Sequence, residues 1–211
     1  EKKNRYMSLD PGVNNFMTVA SNVMKPFIID GKWLKHINQY YNKRTSELKS
    51  ELEDGVYTSK RIEKITNDRN LRIKWFMHTA SAYLVNQAVS ADIDTIVVGH
   101  NDGQKQEINI GAANNQNMVC IPFDTFIDML TYKARLQGIE VVRQDESYSS
   151  QASFFDGDFV PTYKEGDDTV YTFSGKRIKR GMYQTKDGFK FNADVNGALN
   201  ILVKYLKNKK V

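Results

Sequence analysis

The run Asp94-Thr95-Ile96-Val97-Val98-Gly99 constrains the fold most. It is nearly continuously apolar, too short for a helix and closed by glycine, as expected of a strand covered on both faces. The neighbouring segments can supply that cover. Ser59 to about Ser90 repeats apolar residues at helical spacing (Ile62, Ile65, Leu71, Trp75, Ala82, Val85), and Pro122 opens another helix that runs to Gln137-Gly138. Ile139-Glu140-Val141-Val142-Arg143 then reads as a strand ending at Asp145-Glu146. Strand, helix and strand in this order imply a partly parallel sheet, which gathers ligands at the carboxyl ends of its strands.

The chain begins differently. Arg5 to Asp10 alternates Tyr6, Ser8 and Asp10 against Met7 and Leu9, Pro11-Gly12 turns, and Phe16–Ala20 and Pro26–Gly31 complete a three-strand meander. Trp33 to about Glu53 is helical and stops at Asp54-Gly55. Asn192 to Lys207 closes the chain as a helix whose small-residue face (Ala193, Asn196, Gly197, Asn200) suits close packing on a sheet. The expected architecture is α/β, a mixed sheet flanked by helices, with a long helical insertion over about 33–90. Residues 147–190 are irregular, rich in Tyr, Phe, Gly and Asp, and too long for a plain loop. They read as a small inserted lobe with a hairpin and a basic knot at Gly175–Gly181, so that 1–146 and 191–211 form the main domain.

The 211 residues suffice for one such domain with insertions. No apolar run approaches the roughly 18 residues of a membrane span. The single Cys120 excludes an internal disulfide and multi-cysteine zinc sites and is consistent with a reducing cytoplasm. A net charge of +5 leans towards a nucleic-acid partner. The chain opens on Glu-Lys-Lys without Met and enters a strand almost at once, which gives the expectation of a segment cut from a longer protein.

Three acids stand at element ends: Asp10 after the first strand, Glu146 after the strand at 139–143, and Asp194 in the first turn of the last helix. Hard carboxylate oxygens gathered in this way suit Mg²⁺, with Mn²⁺ as a substitute, and two such ions stabilise both the attacking and leaving oxygens of phosphoryl displacement. Each acid also has a plain structural reading: an Asx turn for Asp10, a first-turn helix acid for Asp194, and an exposed loop acid for Glu146. The basic run Lys60, Arg61, Lys64, Arg69, Arg72 and Lys74 reads as a solvated face or as a phosphate-contacting surface. Lys176, Arg177, Lys179 and Arg180, beside Tyr171 and Tyr183, suit phosphate contacts with base stacking. His78 reads as a core or interface histidine, and His36 and His100 show no metal-ligand pairing.

The segments Leu-Asp-Pro-Gly-Val-Asn-Asn (9–15), Gly-Ile-Glu-Val-Val (138–142), Ser-Tyr-Ser-Ser-Gln (147–151) and Asn-Ala-Asp-Val-Asn-Gly-Ala-Leu-Asn-Ile (192–201) resemble the RuvC-like, RNase H-fold nuclease domain of the TnpB family. These proteins are RNA-guided DNA endonucleases of insertion sequences. The resemblance implies a Mg²⁺-dependent DNA endonuclease working by two metal ions, with Asp10, Glu146 and Asp194 as catalytic metal ligands. Ser150, Asn196 and the basic knot would contact nucleic acid. It further implies a DNA substrate, a guide RNA in the full-length protein, a missing N-terminal region that grips both, and a prokaryotic cytoplasm or a mobile element or virus of one. Two departures stand out. Where the family's strand carries a catalytic Glu, this chain has Gly99, so Glu146 is expected to replace it, with Asp102, Glu107 and Asp145 as weaker substitutes. The family's four-Cys zinc finger has no counterpart in 147–190, which leaves Phe154, Phe155, Phe159, Tyr163, Tyr171 and Phe173 to hold the lobe. A nuclease-dead guided repressor and an unguided resolvase or transposase are the alternative readings.

Overall fold

The computed structural model describes residues 3–100, 121–166 and 169–209. Residues 101–120, with the substitute ligands Asp102 and Glu107 and with Cys120, lie outside the described residues. A five-stranded sheet forms from β1 (Tyr6–Pro11), β2 (Asn15–Ser21), β3 (Phe27–Asp30), β4 (Thr95–His100) and β5 (Glu140–Asp145), in the order β3-β2-β1-β4-β5. β1–β2 and β2–β3 are antiparallel; β1–β4 and β4–β5 are parallel. The meander and the parallel half therefore meet at β1, which lies at the centre with β4 beside it.

Between β3 and β4 run α1 (Lys32–Ser50) and α2 (Lys60–Ser90). Ser59 caps α2, its hydroxyl accepting from the Ile62 N–H at 3.3 Å. α3 (Phe123–Leu136) separates β4 from β5, and α4 (Ala193–Lys209) ends the chain.

Strand alternation assigns the two faces of β1. Met7 and Leu9 join the core with Ile73, Met77, Phe126 and Leu130 of α2 and α3. Buried Phe16 of β2 is the hub of this layer, edge-on to Phe76 and Phe126 and stacked on Phe123. Ser8 and Asp10 face the other way, towards α4: the Ser8 hydroxyl donates to the Ala198 carbonyl at 2.6 Å. The polar residues of β1 thus point at the last helix.

The inserted region differs from the expected hairpin by one strand. β6 (Lys176–Lys179), β7 (Met182–Gln184) and β8 (Lys190–Asn192) form an antiparallel sheet in that order, and β8 runs straight into α4. Phe189 and Phe191 alternate along this last stretch and pack with Phe155, while Phe191 also meets the buried Tyr183. Of the aromatic set expected to hold the lobe, Phe154, Phe155, Tyr171 and Phe173 make ring contacts, but the set does not act alone. Phe159 is 66% exposed, and Tyr163 and Phe155 are largely exposed too. Two carboxylates take much of the work. Asp158 accepts from Ser153 N–H (2.8 Å), Ser174 N–H (3.0 Å) and the Ser174 hydroxyl (2.6 Å), and Asp156 accepts from the Ser153 hydroxyl (2.6 Å) and Lys186 N–H (3.1 Å). Charged acceptors tie such strands more strongly than neutral ones.

Candidate active site

The motif Asn192–Asn200 divides into residues that build and residues that are presented. Asn192 caps α4, its side-chain oxygen accepting from the N–H groups of Asp194 (2.8 Å) and Val195 (3.1 Å). Asn196 and Asn200, one turn apart, both donate to the Ala152 carbonyl (2.7 Å each), and Asn200 also donates to Ser149 O (2.8 Å). Asn196 accepts from Phe154 N–H at 3.0 Å as well. Together they hold loop 149–154 against the helix. Asn196, expected at a nucleic-acid surface, is 0% exposed, and the structure gives it this internal clamp instead. Ser150, by contrast, is exposed and lines the cleft described below.

Gly197 faces Asp10. A Cβ on Gly197 would stand 2.6 Å from Asp10 Oδ2, so glycine is what lets the β1 carboxylate lie against the helix. Gly99 has the same relation to Glu146. A Cβ there would stand 2.5 Å from Glu146 Oε2 and 2.6 Å from Ile201 Cδ1. The β4–β5 ladder explains how the carboxyl arrives. His100 pairs with Asp145, the Glu146 N–H donates to His100 O (3.2 Å), and the chain then turns, folding the Glu146 side chain back over Gly99. Both glycines are cradles for carboxylates.

Asp10 and Glu146 line one cleft of about 260 Å³ with Ser147, Tyr148, Ser149, Ser150, Gln151 and Tyr163. Asp194 approaches Asp10 from the start of α4 and is held by Asn15 Nδ2 (2.7 Å) and by the Arg177 guanidinium (3.0 Å). Burial, then the charges of Glu146 and Asp194, push the Asp10 carboxyl well above its usual range, while Arg177 works in the opposite direction. Burial, then Asp145, push Glu146 up to about 7. Among the described residues no three His, Cys, Asp or Glu side chains stand close enough together to hold a metal ion as they are. Asp194 is paired instead with Arg177, whose guanidinium places a positive charge beside the acids.

Asp145, weighed in the sequence as a substitute ligand, is held by internal contacts. Its carboxylate accepts from the Ser147 hydroxyl (2.6 Å) and Ser147 N–H (3.3 Å) and forms an ion pair with Lys204. Lys204, 3% exposed, also donates to the Ser147 hydroxyl (3.1 Å) and to Pro161 O (2.7 Å). Both sequence neighbours of Glu146 are therefore anchored to α4. Tyr148 follows in the left-handed region at φ 60°, its ring packed on Tyr171 and Phe173. Strain of this kind collects where a loop has to present groups to a ligand. Sequence reading missed Lys204; a lone lysine on the apolar side of a terminal helix was the available signal.

The donor set and the cradles fit a hard divalent cation. Carboxylate oxygens are the ligands such an ion takes, and each glycine leaves room for one carboxylate to lie against the backbone. Lys176, Arg177, Lys179 and Arg180 lie exposed on β6 and its turn, and Arg177 reaches the acids directly.

Residues 1–104 match the family described as Probable transposase (OrfB_IS605), and residues 123–201 match the Cas12f1-like TNB domain. No curated protein matches. Among solved structures, a Cas12f1–sgRNA–target DNA complex aligns over 95% of this chain with a TM-score of 0.66 and 18% identity. A CRISPR–Cas12f ternary complex aligns over 93% with a TM-score of 0.65, also at 18% identity. The alignments cover 50% and 38% of those proteins, so this chain spans half their length or less.

Proposed function

The chain belongs to the TnpB family, with an OrfB-type first half and a Cas12f1-like second half, and from that premise we propose that it is the nuclease domain of an RNA-guided DNA endonuclease. Its meander joined to a parallel half, in the order β3-β2-β1-β4-β5, is read as an RNase H-like, RuvC-type sheet. The observation that carries the proposal is the Glu146 carboxylate lying over Gly99, beside the Asp10 strand. A glutamate from β5 thereby serves the position at the end of β4. This favours a working nuclease over a nuclease-dead binder, since the feature that suggested the latter was Gly99.

Asp10, Glu146 and Asp194 would hold two Mg²⁺ ions, or Mn²⁺ in their place. Bound there, the ions would neutralise charge on a DNA phosphodiester and lower the pKa of an attacking water. The chain's own residues do the rest. Arg177 balances Asp194 before substrate arrives and is placed to turn towards a phosphate. The exposed β6 lysines and arginines extend that positive surface, and Ser150 and Tyr148 shape the floor where the strand would lie. Lys204, through Asp145 and Ser147, keeps Glu146 in register. A guide RNA pairing with target DNA would supply sequence choice, the remainder of the full-length protein gripping the heteroduplex.

The test uses the full-length protein with its guide RNA and target DNA. Glu146→Gln should abolish cleavage and leave target binding intact; unchanged cleavage would remove Glu146 from the site.

A further inference from the structure

The hairpin of α1 and α2 takes no part in the carboxylate cleft, yet it holds the chain's whole excess of positive charge. Residues 32–90 carry eleven Lys and Arg against six Asp and Glu, and the rest of the chain carries nineteen of each. Both tryptophans of the chain, Trp33 and Trp75, lie on it. They are 41% and 63% exposed, with ring centroids 6.0 Å apart and tilted by 60°, and Trp33 stacks on Phe76. With Tyr83 they line an open groove of about 670 Å³. One helical turn along, at His36 on α1 and Arg72 on α2, a second groove continues the same seam past Tyr40. From Arg69 to Tyr83 the track is on the order of 20 Å long.

Contiguous exposed rings of this size mark a binding surface. Rings interleaved with cations suit unpaired bases and their phosphates better than an apolar protein segment. The ring-lined groove offers little to read a ribose hydroxyl, since Thr79 already donates its own hydroxyl to the Trp75 carbonyl (3.0 Å). The seam also starts beside the acids. Gly31 N–H and Lys35 Nζ, at the start of α1, donate to Asn14 (2.9 and 3.4 Å), and the adjacent Asn15 holds Asp194.

We infer that the α1–α2 seam binds single-stranded DNA, stacking bases on Trp75 and Trp33 and seating phosphates at Arg72. The choice of DNA rests on the nuclease reading above; the stacking surface does not. The strand would run from the seam across the β1–β2 turn to the cleft.

The two tryptophans make the experiment direct. The chain is titrated in EDTA with an oligothymidylate of about 16 nucleotides, the upper end of single-domain site sizes, following tryptophan fluorescence and the anisotropy of a labelled oligonucleotide. The expected result is quenching that saturates together with the anisotropy. Trp75→Ala should weaken binding about ten-fold, the scale of one lost stacking contact, and Trp75→Phe should restore most of it. Arg72→Ala should weaken it and flatten its salt dependence. In EDTA the titration reads the seam without cleavage, so failure of the nuclease reading and failure of the seam are told apart. Binding that leaves the tryptophans unquenched, binding indifferent to Trp75→Ala and Arg72→Ala, stronger binding to RNA or duplex of the same length, or a protein dimer that shields both tryptophans and excludes the oligonucleotide would each overturn the proposal.

Discussion

Adding one methyl group at Gly99 tests the cradle that brings Glu146 to the acids. In Gly99→Ala the new Cβ would lie 2.5 Å from Glu146 Oε2, 2.6 Å from Ile201 Cδ1 and 3.3 Å from Leu9 O. Ordinary contact needs roughly another ångström in the first two cases. Ile201 is 0% exposed and backed by the core, so it yields little, and the Glu146 carboxylate has to move instead. Overpacking of this kind costs about 1–3 kcal/mol. For a chain of this size that lowers the melting temperature by roughly 3–10 °C. The functional effect should be larger in proportion, because a ligand moved by about 1 Å costs on the order of 100-fold. The assay pairs a thermal melt with Mn²⁺ calorimetry on the same preparation. Gly99→Ala should lose a few degrees and bind Mn²⁺ about 10- to 100-fold more weakly. In Gly99→Ala/Glu146→Ala part of the lost stability should return, since one of the two close contacts is gone. A Gly99→Ala protein that melts and binds Mn²⁺ as wild type does would refute the cradle.

Lys204→Met should destabilise by about 1–3 kcal/mol by leaving the Ser147 and Pro161 oxygens without their donor, and Lys204→Arg should recover less than half of this in a urea melt, since a guanidinium does not fit the nest of Asp145, Ser147 and Pro161 oxygens. Asn196→Ala should cost about 1–3 kcal/mol by leaving Ala152 and Phe154 short of a partner, with faster amide exchange across 149–154 and unchanged oligonucleotide affinity. The Glu146 carboxyl has a raised folded-state pKa, about 7 against 4.5, so the metal-free fold binds the extra proton and loses stability as pH rises from about 4.5 to 7; with discounting for partial exposure, about 1–2 kcal/mol is at stake. Mn²⁺ affinity should rise over the same interval, because binding needs the ionised carboxylates, and saturating Mn²⁺ should flatten the stability slope.

Most of the fold was legible because its elements announce themselves locally. The apolar run at 95–98, the helical spacing of 60–90 and the Pro122 start all match observed elements within a few residues. The third lobe strand was not legible. Three residues, Lys190 to Asn192, are too few for a period to register, and Phe191 reads as one more aromatic until Tyr183 and Phe155 pack on it. Within the candidate site, acids at element ends could be picked out, but their relations could not. That Gly99 and Gly197 are cradles depends on what crosses above them, which only the assembled sheet supplies. Asn196 misled for the opposite reason. An asparagine beside a site acid suggests a surface contact, and its burial becomes evident once loop 149–154 is folded onto α4. Asp156 and Asp158 gave no local signal, since it is the distant Ser174 and Lys186 that make them cross-links.

The central claim is that Glu146, arriving from β5, joins Asp10 and Asp194 in one metal site. Calorimetric titration of Mn²⁺ into the wild-type chain, Asp10→Asn and Glu146→Gln addresses it without substrate or guide. The account predicts saturable binding to the wild type that falls at least ten-fold in both variants, each of which removes one charged ligand. Binding that is lost in Asp10→Asn but untouched in Glu146→Gln would contradict it, and would leave Gly99 without a glutamate to take its place.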